Sequence, residues 1–377
     1  MSQAIPPMPE LLPEVLRQLD ALVAFDTRNP PRAIGVDGIF EYLRAHLPGF
    51  HIDVTDHGAG AVSLLAARGN PRRVFNVHLD TVPSSDAWSA DPLTLRVTGD
   101  RATGLGACDI KGAAASLIAA ANASHGDVAL LFSSDEEAND ARCIAAFLEK
   151  NALAGERGFT EAVIAEPTRC EAVLAHRGIS SVLMRFKGDA GHGSGANALQ
   201  ASALHQAVRW GGNALAMVDG EAQARFGGMT GLRFNIGRIE GGIKANVIAP
   251  SAEVRFGFRP LPSHDIDVLH ARWRACAGGP VEYAETFRGP SLPSGDVAAA
   301  EERRLAARDL AEELQLPIGN AVDFWTEASL FSQKGMTAFV YGPGDIAQAH
   351  TADEWVALEQ LQQYATSIHR LLGGSAT

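Results

Sequence analysis

The sequence predicts an α/β protein: a mostly parallel mixed sheet flanked by helices, interrupted by an inserted ferredoxin-like α+β domain. Three observations predict it. Short apolar runs at 74–77, 128–132 and 162–165 alternate with helical segments, and buried strands of that kind belong to sheets covered on both faces. After His176-Arg177-Gly178 the rhythm changes to β-α-β-β-α-β, the split βαβ order that forms a two-layer unit by itself. Beyond residue 290 the α/β style resumes. The expected organisation is a discontinuous domain, 1–178 with 290–377, split by an inserted domain at 179–289.

The elements follow in order. Residues 10–25 carry apolar side chains at helical spacing, and Pro30-Pro31 cannot continue that helix. A second helix is expected at 39–47. Between 50 and 132, β-like runs alternate with turns, and the Ala-rich stretch 111–123 is a strong helix former. Another helix follows at 140–148. In the insertion, 179–187, 232–239, 252–259 and 281–287 read as strands, and 197–217 and 266–276 as helices. A helix at 298–314, a strand at 336–341 and a helix at 354–372 complete the chain.

Composition narrows the class. The 377 residues, 46% hydrophobic and 20% charged, suit a soluble globular enzyme of two domains. A net charge of −12 argues against a nucleic-acid surface, and no apolar stretch is long enough to predict a membrane span. Cys108, Cys143, Cys170 and Cys276 form no CxxC pair, which points to a reducing compartment and no zinc ribbon. Residues 1–13 are Pro-rich and lack a basic region before an apolar core, so no signal peptide is expected and the expected location is the cytoplasm.

Chemistry concentrates at the strand exits. The run 74–77 leads into His78-Leu79-Asp80, the run 128–132 into Asp135-Glu136-Glu137, and the run 162–165 into Glu166-Pro167. Strand carboxyl ends of an open α/β sheet share one edge, where ligands bind. Two imidazoles and several carboxylates at such an edge suit a borderline-to-hard metal such as zinc. His78 can ligate while Asp80 holds its other ring nitrogen. Adjacent acids such as Glu136-Glu137 repel unless a cation or proton separates them. One can ligate while the other serves as general base, or both can belong to an acidic helix N-terminus. Asp109, in Gly104-Leu105-Gly106-Ala107-Cys108-Asp109, reads either as a helix N-cap or as a carboxylate held into a site by a tight turn. Glu166 and His350 each admit a surface-loop reading as well. No Gly-x-Ser-x-Gly elbow is present, and Gly193-Ser194-Gly195 lies in the insertion, so a serine hydrolase is disfavoured. The Gly-rich turn also fails the P-loop spacing.

Together, His78-Leu79-Asp80, Gly106…Asp109-x-Lys111-Gly112, Asp135-Glu136-Glu137, Glu166-Pro167 and His350 resemble the di-zinc aminoacylase/carboxypeptidase family, in family order and over nearly the whole chain. Ala175-His176-Arg177-Gly178 and Thr326-Glu327-Ala328 are similar to its acetylornithine deacetylase branch. The resemblance implies a zinc-peptidase-like catalytic domain with a lid that also dimerises. It implies that Asp109 bridges two zinc ions, with His78 and Glu166 completing one site and Glu137 and His350 the other. Occupancy of one or two ions and substitution by cobalt are both within that expectation. Glu136 would be the general base, Asp80 the support of His78, and His192 the oxyanion donor. Arg259 would take the substrate carboxylate, and Asn246 would reach the site from the lid, either within one chain or across a homodimer. The implied reaction removes the N-acetyl group from an N-α-acetyl-L-amino acid of arginine biosynthesis, with acetylcitrulline favoured over acetylornithine. A desuccinylase, a dipeptidase or carboxypeptidase, and a non-catalytic metal-binding homologue are the alternatives. Three positions depart from the pattern: Leu105 where an Arg is common, Gly193 within the His-Ser-Ser stretch, and Gly257 in place of the Asp of an Asp-x-Arg strand.

Overall fold

Apolar runs rich in Val, Leu, Ile and Phe build the sheet that positions the site. The computed structural model describes residues 10–31, 34–138, 140–155 and 158–373; residues 1–9 of the stretch read for a signal peptide lie outside them. The described residues divide into two units. The first comprises residues up to Leu174, Leu305–Gly319 and from Thr326 onward; the second comprises Ala175–Arg304 and Asn320–Trp325. The expected insertion at 179–289 falls inside the second unit, which extends beyond it on both sides.

In the first unit a six-stranded sheet runs in the order His51–Asp56, Val62–Arg68, Val128–Ser133, Arg73–His78, Glu161–Ile164, Thr337–Val340. The first two pairings are antiparallel and the remaining three parallel. Val128–Ser133 is buried at every position, as a central strand covered on both faces must be. Helices Leu12–Val23, Gly112–Asn122 and Leu358–Leu372 pack on one another. Gly112–Asn122 buries nearly its whole length, because Ala side chains let neighbours approach closely. Helix Leu12–Val23 instead buries a stripe of Val15, Leu19, Leu22 and Val23, with Gln18 among them.

The second unit holds a four-stranded antiparallel sheet in the order Arg233–Gly241, Ser251–Arg259, Ile179–Lys187, Glu282–Gly289. Helices Ala203–Gly220 and Ile266–Ala275 belong to its hydrophobic core, where Trp210, Trp273, Phe256 and Phe258 cluster. The Trp210 indole N–H donates to the Trp273 carbonyl at 2.9 Å, so the aromatic core leaves no polar cost at that ring.

Two expected helices are revised. The segment 197–217 is a short helix, Ala198–Ala201, followed by Ala203–Gly220. Ser202 breaks it with an extended ψ of 120° and caps the second helix by accepting the His205 N–H. The segment 354–372 begins as the strand Trp355–Ala357, paired with Arg101–Thr103, and becomes helical only from Leu358. Elsewhere the helix expected at 140–148 starts at Arg142 and continues to Ala154. Among the described residues no helix is long and apolar enough to cross a membrane.

Candidate metal centre

Parallel register brings the strand exits together. His78 lies opposite Ser133, and Asn76 opposite Ile164, so the segments leaving all three strands emerge at one edge. Asp109 arrives from a tight five-residue turn, Ala107–Lys111, entered through Gly106 at φ 78°. Asp109 and Ile110 are non-helical inside that turn, and the bond between them is cis. A Cβ on Gly112 would stand 2.4 Å from the Ala107 carbonyl oxygen, so the turn closes onto the next helix only with glycine there. Asp109 therefore does not cap the following helix; it is the carboxylate held by a turn. His350 follows the short 3-10 turn Ile346–Gln348 and has a φ of 60°.

The side chains converge in two groups that share Asp109. His78, Asp109 and Glu166 offer ligand atoms within 4.8 Å of one another, and so do Asp109, Glu137 and His350. Asp109 Oδ1 lies 3.2 Å from His78 Nε2, while Oδ2 lies 3.3 Å from His350 Nε2. Glu166 Oε1 is 3.8 Å from His78 Nε2, and Glu137 Oε1 is 3.0 Å from His350 Nε2. Glu136 belongs to neither group, although it is next to Glu137.

The electrostatics call for added positive charge. Burial drives the carboxyls of Glu136, Glu137 and Glu166 upward; repulsion adds to it, from Asp109 on Glu137 and Glu166 and from Glu166 and Glu137 on Glu136. Burial pushes Asp109 the same way, but the hydrogen bonds from His350 and His78 outweigh it and hold Asp109 low. His350 is pushed up to about 11 by its hydrogen bonds to Asp109 and Glu137, against burial. His78 is also raised: burial opposes its charge, and Asp109 and Asp80 overcome that. A cation between these acids removes the cost of crowding them. Two imidazole nitrogens and three carboxylates fit a borderline-to-hard divalent ion.

Supporting groups refine the expected roles. Asp80 is fully buried, and its Oδ2 accepts from the Asn29 amide at 3.2 Å and the Glu137 N–H at 3.0 Å. His78 Nδ1 lies 3.0 Å from the Asp80 backbone carbonyl oxygen and 3.5 Å from the Asp80 carboxylate. The carbonyl is the hydrogen-bond partner by geometry, and the carboxylate adds charge beside it. Glu327 points inward: Oε2 accepts from Asn76 at 2.6 Å and Ser133 at 3.2 Å, and burial, then Asp135, push it up to about 8. Sequence reasoning missed Glu354, which is 1% exposed and binds the backbone of the Asp109 turn. It quoted Lys111 in the matched motif without a role; the side chain is buried, its ammonium donates to the Phe25 carbonyl at 2.9 Å, and burial lowers it to about 7. A hydrophobic pattern carries no signal for either.

The remaining expected residues lie in the second unit. His192 is exposed on the short strand Gly191–His192, opposite Val247, with Nδ1 2.7 Å from Ser194 Oγ. Asn246 is exposed beside it, and its carbonyl accepts the Gly193 N–H at 2.8 Å. Arg259 ends the strand Ser251–Arg259, and burial lowers its pKa. It lines a groove of about 520 Å³ on the sheet, with Arg233, Arg255 and Asn235, and no acid among the lining residues.

Comparison with known proteins agrees with this geometry. Residues 74–373 match the family described as Peptidase family M20/M25/M40. The N-acetyl-L-citrulline deacetylase of Xanthomonas campestris pv. campestris is 67% identical over 370 residues, spanning 98% of this chain and 100% of that protein. The acetylornithine deacetylase of Salmonella arizonae is 30% identical over 327 residues, 80% of this chain and 76% of its own. Among solved structures, aminopeptidase PepT from Bacillus cereus is similar with a TM-score of 0.72 at 18% identity, covering 96% of this chain and 98% of its own. That last likeness concerns the fold alone.

Proposed function

The chain belongs to the M20/M25/M40 peptidase family, and on that premise we propose that it hydrolyses N-acetyl-L-citrulline to acetate and citrulline. It is a metal-dependent amidohydrolase. The observation that carries the substrate is the 67% identity to an N-acetyl-L-citrulline deacetylase, sustained over 98% of the chain. Acetylornithine is the second reading, supported by relatives at 30% identity. Either substrate places the reaction in arginine biosynthesis, and the cytoplasm is the compartment that suits it.

His78, Asp109 and Glu166 would hold one ion and Asp109, Glu137 and His350 the other, with zinc the natural occupant and cobalt able to replace it. Bound there, such ions act as Lewis acids towards the amide carbonyl and lower the pKa of water towards ~7. Glu136, beside both groups yet outside them, takes a proton from the attacking water and returns it to the leaving amine. Asp80, fastened by Asn29 and the Glu137 N–H, keeps the His78 ring oriented. His192 has Nδ1 engaged by Ser194, which leaves Nε2 to donate to the oxyanion, an interaction worth about 3 kcal/mol. Arg259 takes the substrate carboxylate as a charge-assisted pair, and Asn246 assists from the same unit. A homodimer formed through the second unit would cover Val208 and Leu215, which stand exposed two turns apart on one face of Ala203–Gly220.

The test is kcat/KM measured in parallel on acetylcitrulline, acetylornithine and succinyl-diaminopimelate with the zinc-loaded protein. Acetylcitrulline should lead. A higher value for acetylornithine would transfer the assignment to the second reading, and equal inactivity on all three would remove both.

A further inference from the structure

We infer that Glu354 is a positioning residue that sets the Asp109 carboxylate so that it addresses both ligand groups at once. The inference rests on the metal reading above, and it concerns a residue that belongs to neither group.

The geometry is a clamp built from one buried side chain. Glu354 is 1% exposed. Its Oε1 accepts the backbone N–H of Cys108 at 2.8 Å and that of Asp109 at 2.9 Å. The backbone repeats the tie: the Gly104 N–H donates to the Glu354 carbonyl at 3.0 Å, and Trp355–Ala357 pairs with Arg101–Thr103. On the other side of Glu354, the Asp353 carboxylate accepts from Ser89 Oγ and Arg96, both at 2.8 Å. The segment that carries His350 is thus fastened to the turn that carries Asp109.

The demand for such a clamp comes from Asp109 itself. Its two oxygens are divided, Oδ1 towards His78 at 3.2 Å and Oδ2 towards His350 at 3.3 Å. One rotation of the carboxylate serves both, and a small turn of the backbone loses one of them. The residue has φ −124° and ψ 86°, outside the helical region, so no helical partner holds its peptide N–H. Glu354 supplies that partner. Removing the carboxylate leaves buried N–H groups at Cys108 and Asp109 unpaired, and the turn relaxes to find others. Because Asp109 serves both groups, the consequence reaches both ions.

The test uses the full chain stripped with a chelator and titrated with zinc against a chromophoric competitor. Glu354→Gln keeps an acceptor oxygen and should bind two ions as the unmodified chain does. Glu354→Ala should weaken both ions by about 10–100-fold, the usual cost of losing an outer partner of a metal ligand. An Ala variant that binds two zinc ions with unchanged affinity overturns the inference. So does one whose melting temperature falls while its affinities stay put, since that marks a purely structural role. Should the Ala variant fail to fold, Glu354→Asp, which withdraws the acceptor by one methylene, decides by the same two outcomes. The two readings fail separately. Two tightly bound ions with no acetylcitrulline hydrolysis removes only the substrate proposal; an unmodified chain that takes up no zinc removes the ligand assignment and this inference with it.

Discussion

The two units treat their functional side chains in opposite ways. In the first, His78 and Asp80 are buried, Asp109 is braced by two imidazoles, and even the supports, Asn76 and Glu354, are out of solvent. In the second, His192 and Asn246 are exposed, and the Arg259 groove carries cationic and neutral side chains without an acid. The difference separates two tasks. Groups that fix ions and move protons are preorganised, because their mutual repulsion has to be managed before any ligand arrives. Of the groups proposed to meet the substrate, His192 and Asn246 are exposed and Arg259 is partly buried. The same contrast recurs in miniature within the metal centre, where the His78 side chain is 2% exposed and that of His350 is 51% exposed. The ion held by the closed group should be the slower to exchange.

This contrast can be broken at four points. The largest effect is expected at Glu136→Ala. Turnover should fall by ~3 orders of magnitude while zinc content stays unchanged, because Glu136 is in neither ligand group; loss of an ion would make it a ligand. Next is His192→Ala in the second unit, with kcat down ~10²–10³-fold and zinc stoichiometry intact; metal analysis alongside kinetics checks it. Arg259→Gln should raise KM about 10–100-fold with kcat nearly kept, since the proposed pairing with the substrate carboxylate would serve substrate and transition state alike. A selective fall in kcat would place Arg259 at the reacting centre instead.

The smallest effect probes the buried side through pH. In the metal-stripped protein Glu327 is raised from an ordinary 4.5 to about 8 by burial. The folded state therefore binds more protons than the unfolded state between those values. Its contribution to stability is fully present below 4.5 and disappears as pH rises through about 8. Glu327→Gln should flatten the decline of melting temperature across that window. An unchanged slope would show that Glu327 titrates normally.

Much of this was legible in the sequence because the sheet edge leaves a one-dimensional trace. An apolar run ending in His78, in Glu136-Glu137 or in Glu166 is a strand followed by its exit, and parallel strands have their exits together. The Gly106…Gly112 turn was legible for a similar reason, since glycine marks backbone that other residues cannot adopt. What stayed hidden is contact between distant backbone and side chain. Glu354 reads as the start of an amphipathic helix, and nothing nearby shows that its carboxylate closes on a turn at 106–109. Asp80 was expected to hold His78 with its carboxylate, whereas the carbonyl of the same residue lies closer. Ser202 divides a helix whose apolar spacing continues across it, because one side-chain cap competes with helix propagation at that point.

The shared Asp109 also has a bearing on the order in which the protein can be made. Its partners His78 and His350 come from opposite ends of the chain, while the aromatic core of the second unit is assembled from one contiguous stretch. During synthesis that unit can acquire its core early, as local contacts form before distant ones. Asp109 receives its second imidazole, and Glu354 its turn, only when the polypeptide is nearly finished. The strand-edge acids are therefore translated long before His350, and the group of Asp109, Glu137 and His350 is completed later in synthesis than that of His78, Asp109 and Glu166.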